Sequence, residues 1–216
     1  MRVVWVTLCA PLRAQDWKRA LELILIRHGL PMHVENQDGQ PADPPLSEIG
    51  RTQADRMATW LQGASLARLY SSPMARALET AQPLARAQGL DIEVRDGVAE
   101  YDRQAATYVP VEKLKQIDHE RWLRLMKGDV GVDFTAFAEL VIATLEDIVQ
   151  SHRGQRVAVT CHGGVINVWT AHVIGFPPRM FFNPDYTSIN RYQCASSGER
   201  SVITLNEAVH LREVQG

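Results

Sequence analysis

Leu23-Ile24-Leu25-Ile26-Arg27-His28-Gly29 is the stretch whose reading decides the fold. Four consecutive apolar residues, two of them β-branched, read as a strand buried on both faces, and the run ends abruptly in a cation, an imidazole and a glycine. In open parallel sheets, ligands bind in the crevice outside the carboxyl ends of the strands. Arg27 brings a fixed positive fork to that edge, and His28 a group that is neutral and nucleophilic near neutral pH. Gly29 lets the backbone turn away sharply or lets a ligand come close.

Working outward, the segment Leu30 to Pro45 is rich in turn formers, Asp38-Gly39 among them, and reads as a long functional loop. Ser47 is a good N-cap for a helix with Ile49, Gln53, Met57 and Leu61 along one stripe. Ala67 to Ser71 reads as a strand, and Ser72-Pro73 as an N-cap followed by proline at the first helical position. That helix runs to about Gln88 with Gly89 as its cap, and Pro83 within it predicts a kink or break. Asp91 to Val94 reads as a further strand. A single amphipathic helix is expected over Val111 to Met126, and another from Asp133 or Thr135 to Gln150 with Phe137, Leu140, Val141, Leu145 and Ile148 on one side. Arg156 to Thr160 is a second buried strand, which also ends in His-Gly: Cys161-His162-Gly163-Gly164, with a helix over Val165 to Ile174. Two strands, Ile189 to Cys194 and Ser201 to Leu205, close the chain. Alternating strands and helices predict a single α/β domain with a mostly parallel central sheet flanked by helices.

The bulk composition bounds the function. At 216 residues, 45% hydrophobic and 22% charged, the chain has the make-up of one ordinary globular domain. A formal net charge of −2 gives no reason to expect nucleic-acid binding, so any anion site must be local. No apolar run approaches the roughly 18 residues that span a bilayer, so no membrane partner is expected. Three cysteines without metal or redox spacing, Cys9, Cys161 and Cys194, fit a reducing, cytoplasmic compartment. Residues 1–20 read as an extension with no assigned role: short for a signal-peptide core, and open to an extra edge strand.

Two strands ending in His-Gly bring His28 and His162 to one sheet edge if the strands are neighbours. Arg76, in the first turn of a helix after a third strand, reaches the same edge near a helix N-terminus that favours anions. Metal binding by His28, His33 and Asp38, or by Cys161 with His162, has no zinc spacing, and the arginines would repel a cation.

Four motifs occur in order: Arg27-His28-Gly29, Leu46-Ser47-x-x-Gly50-x-x-Gln53-Ala54, Ser72-Pro73-x-x-Arg76-Ala77-x-x-Thr80-Ala81, and Cys161-His162-Gly163-Gly164. Together they resemble the histidine phosphatase superfamily, of phosphoglycerate mutase-like fold, over Leu21 to Leu211. The resemblance implies a domain over 21–216 with a variable substrate-covering section at about 96–131. It implies that Arg27, Arg76, Gly163 and His162 surround a phosphate monoester, that His28 becomes a phosphohistidine, and that Glu100 protonates the leaving group, with Asp102 as the alternative acid. The chemistry suits those residue types: guanidiniums neutralise phosphoryl oxygens, and positioning with electrostatics carries the transfer, so no metal and no cofactor is expected.

Members of the superfamily usually carry threonine two residues and asparagine five residues after the motif's glycine. Here those positions are Pro31 and Val34, with Asn36 as the replacement phosphate contact. The expected partner is a small phosphorylated substrate, and a homo-oligomer is compatible with the sequence. The leading reading is a phosphatase; a mutase-type phosphotransferase and a non-catalytic phospho-ligand binding module are the alternatives.

Overall fold

Strand β1 (Leu21–Arg27) lies in the middle of a six-stranded sheet, which is why its side chains are apolar on both faces. A computed structural model describes residues 20–35, 40–127 and 134–214. Leu23 and Leu25 pack with Val157, Val159, Leu145 and Trp169 in one core, while Ile24 and Ile26 pack with Ala158, Met57, Leu61 and Leu84 in another. Each fully buried aliphatic side chain of this strand contributes about 2 kcal/mol of transfer free energy.

The remaining elements, in chain order, are β2 (Val34–Glu35), α1 (Glu48–Leu61), β3 (Arg68–Ser71), α2 (Ala75–Gln88), β4 (Ile92–Val94), β5 (Thr107–Tyr108), α3 (Val111–Ile117), α4 (His119–Met126), α5 (Phe134–Ser151), β6 (Arg156–Cys161), α6 (Gly163–Ile174), β7 (Ile189–Cys194) and β8 (Arg200–Glu207). The main sheet has the order β4-β3-β6-β1-β7-β8. Its first four strands are mutually parallel, β7 pairs antiparallel with β1 and β8 antiparallel with β7, so the expected α/β class with a mostly parallel sheet is the observed one. Helices α1 and α2 cover one face; α5 and α6 cover the other.

Topology makes the site. From β1 the chain crosses to β3 and β4, then returns to insert β6 between β3 and β1. The carboxyl ends of β1, β6 and β3 therefore lie side by side, in register at Arg27–Cys161 and Ser71–Thr160. This is the crevice where α/β sheets bind ligands.

Several local expectations need correction. Helix α2 starts at Ala75, not at Pro73, and Met74 occupies the N-cap position. Pro83 neither breaks nor ends it; Ala81, Leu84 and Ala85 are anchored in the core, and Gly89 terminates the helix at φ 64° as expected. The buried face of α1 is Gly50, Ala54, Met57, Ala58 and Leu61, whereas Ile49 faces solvent. Leu140 of α5 is likewise exposed. The segment after residue 110 is two helices, separated at Asp118, whose side chain accepts the Arg121 N–H to start the second. The long loop after β1 contains β2, which pairs antiparallel with β5. Among the described residues no helix is long and apolar enough to cross a membrane. Residues 1–19, and with them the reading of the extension, lie outside the described residues, as does Asn36.

Candidate active site

His28 and His162 meet as the strand register requires, with ring centroids 5.1 Å apart and the His28 N–H donating to the Cys161 carbonyl at 2.9 Å. His28 is buried, and its Nδ1 lies 2.8 Å from the Gly29 carbonyl oxygen. A carbonyl can only accept, so Nδ1 carries the ring proton and Nε2 keeps its lone pair. Burial, then the Arg76 and Arg27 guanidiniums, hold the His28 pKa well below its ordinary value. The imidazole is consequently neutral across the physiological range, as a nucleophile must be.

The same causes, with His28 added, depress His162, so its imidazole is neutral, not a cation. Its Nε2 lies 2.7 Å from Ser72 Oγ, which also accepts the Met74 N–H at 3.3 Å. Donation from the Ser72 hydroxyl to Nε2 leaves the ring proton on Nδ1, an atom without a hydrogen-bond partner among the described residues. The serine read as a helix cap thus serves instead to orient the second histidine.

Both arginines converge on the pocket. Arg27 donates to the Pro184 carbonyl and to Asn183 Oδ1, and its guanidinium sits 4.1 Å from the Tyr186 ring centroid. Arg76 is completely buried, and its guanidinium lies 4.5 Å from the Tyr108 ring centroid. Its Nη2 approaches Asp102 at 3.5 Å and its Nη1 approaches Asp43 at 3.9 Å, both long for ion pairs. Its Nε and Nη1 lack hydrogen-bond partners among the described residues. A buried guanidinium left this poorly satisfied has donors to spare for a ligand. The N-terminus of α2, in contrast, is already taken: Asp43 accepts the Ala75 N–H with both carboxylate oxygens.

Glu100 is buried beside the start of α6. Its Oε2 accepts the Gly164 N–H at 2.8 Å and its Oε1 accepts the Tyr101 N–H at 3.2 Å. Burial, followed by the nearby Asp102 carboxylate, pushes its pKa up to about 7 against these hydrogen bonds and the Arg76 charge. Near neutrality it therefore has both a proton to give and an accessible carboxylate form. Burial also raises Asp102, but that side chain is 30% exposed and faces Arg76, which makes Glu100 the better placed acid.

A β-carbon at Gly164 would stand 2.1 Å from Glu100 Oε1, so glycine is required there for the carboxyl to sit against the helix. Gly164→Ala should displace Glu100 and slow cleavage of alkyl phosphates by about 10²-fold or more, sparing activated aryl phosphates. The ratio of the two rates checks this, with thermal melting showing only the modest cost of overpacking, about 1–3 kcal/mol.

Arg27, His28, Arg76, Glu100, Asp102 and Gly163 line one cavity of about 540 Å³. His162 lies buried behind it against His28. The remaining motif residues turn out to be scaffolding for the loop after β1. Thr80 Oγ1 accepts the Gly29 N–H, Gln53 accepts the Leu30 N–H, and Ser47 binds the Leu30 carbonyl through both its N–H and its hydroxyl. Gly29 and Gly50 allow this contact, since a β-carbon on either would lie 2.6 Å or 2.1 Å from the other segment's carbonyl oxygen.

The two departures from the usual motif also have a structural outcome. Pro31 bridges to Leu46, and Val34 pairs with Tyr108, the residue stacked on Arg76. Of the aromatic and basic residues after Glu100, Tyr101 and Tyr108 line the cavity, while Arg103 pairs with Asp96 and Trp122 stacks on His119. Asn183, Tyr186, Arg121 and Arg124 were not visible in the sequence as site residues. They come from loops and a short helix with no motif; the chain path brings Asn183, Arg121 and Arg124 to the cavity and Tyr186 against Arg27 and His28.

Comparison with known proteins agrees with this geometry. A family model described as the histidine phosphatase superfamily (branch 1) matches residues 23–207. Phosphoserine phosphatase 1 of Hydrogenobacter thermophilus is 27% identical, over 89% of this chain and 95% of that protein. Phosphoglycerate mutase-like protein 4 of Arabidopsis thaliana is 29% identical over 67% of each. In fold, the chain is similar to a mycobacterial glucosyl-3-phosphoglycerate phosphatase, with TM-score 0.70 and 21% identity over 88% of this chain and 100% of that one. With the family model spanning the sheet from β1 to β8, this chain belongs to the histidine phosphatase superfamily.

Proposed function

We propose that this protein is a metal-independent, cytoplasmic phosphatase that hydrolyses the phosphate monoester of a small metabolite through a phosphohistidine at His28. The observation that carries the reading is the geometry at His28: Nδ1 lies 2.8 Å from the Gly29 carbonyl oxygen, which leaves Nε2 as the nucleophilic nitrogen, and His28 lines one cavity with Arg27 and Arg76. The names of the relatives, phosphoserine phosphatase and glucosyl-3-phosphoglycerate phosphatase, support a monoester substrate.

In the first step Arg27 and Arg76 neutralise the phosphoryl oxygens, and Nε2 attacks phosphorus in line as the bond to the leaving oxygen breaks. Protonated Glu100 supplies the proton that this oxygen needs. In the second step the Glu100 carboxylate takes a proton from water, the water oxygen bonds to phosphorus, and the P–N bond breaks to regenerate His28. His162 donates to the transferring phosphoryl group throughout.

The test is a pair of substrates with poor and good leaving groups. Glu100→Gln should lower the single-turnover rate on an alkyl phosphate by about 10²–10⁴-fold and that on a nitrophenyl phosphate far less. Because the Glu100 pKa is raised to about 7, the acid is lost as pH climbs through that value. The wild-type rate on the alkyl ester should decline above neutrality, and the variant should lose that limb. An equal loss on both substrates would count against Glu100 as the acid. Isomerised phosphoester in place of free phosphate would identify a phosphotransferase.

A further inference from the structure

Beyond the pair Ile26–Ile189 the β1–β7 ladder runs on into the site: the Arg27 N–H donates to the Ser188 carbonyl at 3.2 Å, and the Thr187 N–H donates to the His28 carbonyl at 3.3 Å. There it ends, because Thr187 stands at φ 55°. Among the described residues it is the one β-branched residue with a left-handed backbone, a conformation that crowds its β-carbon and that glycine or asparagine adopts at far lower cost. Strain of this kind persists only where the surroundings enforce it.

The turn at Thr187 folds residues 183–186 over the end of β1. Arg27 donates to Asn183 Oδ1 and to the Pro184 carbonyl, and the buried Tyr186 ring has its centroid 4.1 Å from the Arg27 guanidinium and 5.7 Å from that of the His28 ring. One short segment thus grips both reactive groups of β1. It is tied in turn from outside: Asn206, near the end of β8, accepts the Asp185 N–H at 2.6 Å, and Thr187 Oγ1 lies 3.0 Å from Nε2 of His210 in the 3₁₀ helix Val209–Val214. The other ring nitrogen of His210 is buried without a hydrogen-bond partner among the described residues, so the Thr187 contact is the hydrogen bond that fixes this ring. Neither Thr187 nor His210 lines the cavity. Any effect of theirs on the reaction passes through Arg27 and His28.

Resting on the phosphatase reading above, we propose that Thr187 and His210 are positioning residues: His210 braces the strained turn at Thr187, and the turn aims the Arg27 guanidinium and the His28 ring at the phosphoryl group. Aim matters most in the transition state, where charge is spread over the equatorial oxygens and a displacement of about 1 Å costs up to about 10²-fold.

Inorganic vanadate takes up the five-coordinate geometry of the transferring phosphoryl group, whereas inorganic phosphate stays tetrahedral. The ratio of their calorimetric affinities reads the aim, and the wild type should bind vanadate about 10²-fold tighter or more. Two variants test the brace: His210→Leu, and Thr187→Gly, which accepts the left-handed turn without strain and without the anchor. In both, vanadate affinity should fall about ten- to a hundredfold and phosphate affinity by no more than about threefold. On an aryl phosphate kcat should fall in step with vanadate affinity, with KM within about threefold of the wild type. His210→Gln, whose side-chain amide can still bond the Thr187 hydroxyl, should restore most of the ratio. A ratio unchanged in both variants overturns the proposal even where activity falls together with thermal stability, since that is the mark of a structural role alone. So does a ratio that His210→Gln fails to restore, or a wild type that does not distinguish the two ions. Failure of the phosphatase reading would look different: the ratio would fall in the variants as expected, yet the wild type would release no phosphate from any monoester.

Discussion

His28→Ala leaves turnover of an aryl phosphate at background, a loss of about 10⁵-fold or more, the scale reached when a nucleophile that works as part of a unit is removed. An aryl substrate is chosen because its leaving group needs little help from Glu100, so the loss reports on the nucleophile. Binding should survive. Arg27 and Arg76 are held by elements other than the imidazole: Arg27 by Asn183, Pro184 and Tyr186, Arg76 by its position in the first turn of α2. Inorganic phosphate should therefore bind the variant with an affinity within about tenfold of the wild type. Wild-type protein quenched in mid-turnover should carry an acid-labile, base-stable phosphoryl label, and the variant none. Retained turnover in His28→Ala, or a label that persists in it, would exclude His28 as the nucleophile.

Arg76→Met should separate catalysis from stability. Loss of the buried guanidinium removes donors aimed at the transferring phosphoryl group, and kcat/KM should fall by about 10²–10³-fold or more. The fold, however, gains. Arg76 is fully buried with two nitrogens lacking hydrogen-bond partners among the described residues, and its carboxylate neighbours are 3.5 Å and 3.9 Å away. A desolvated charge so weakly compensated costs stability, and replacing such a group by an apolar side chain of similar length is often neutral or stabilising. Asp43 and Asp102 are 48% and 30% exposed, so water can take over their solvation when the arginine is gone. Thermal unfolding of the variant should come at or above the wild-type midpoint while activity collapses. A midpoint lowered by more than about 3 °C, roughly 1 kcal/mol for a domain near this size, would show that Arg76 holds the structure together as well.

These expectations rest on two different kinds of information. Periodicity and local chemistry were sufficient for the strands of the main sheet and for the start of α1, because a doubly buried strand such as β1 is apolar throughout and Ser47 offers the first turn of α1 an acceptor. The same local signals misplaced the start of α2 and the buried stripe of α1. Ser72 is drawn into a bond with His162, 90 residues away in the chain, and α1 turns its small residues inward to fit Gly50 against Leu30. Pro83 did not break α2, because burial of Ala81, Leu84 and Ala85 outweighs one missing N–H.

At the site, the sequence by itself determined which candidate groups stand at strand ends: His28 and Arg27 at the end of a buried strand, His162 at the end of another, and Arg76 in the motif after a third. Their residue types and their places at strand ends are local properties. Only the tertiary structure decided the protonation of His28, through the Gly29 carbonyl and two buried guanidiniums. It alone set Glu100 in a buried place against the Gly164 N–H, and it alone brought Asn183, Arg121 and Arg124 to the cavity. Proton affinities depend on desolvation and on charges brought close by folding. No spacing along the chain encodes either, which is why the residue types at the strand ends were legible before the structure and their surroundings were not.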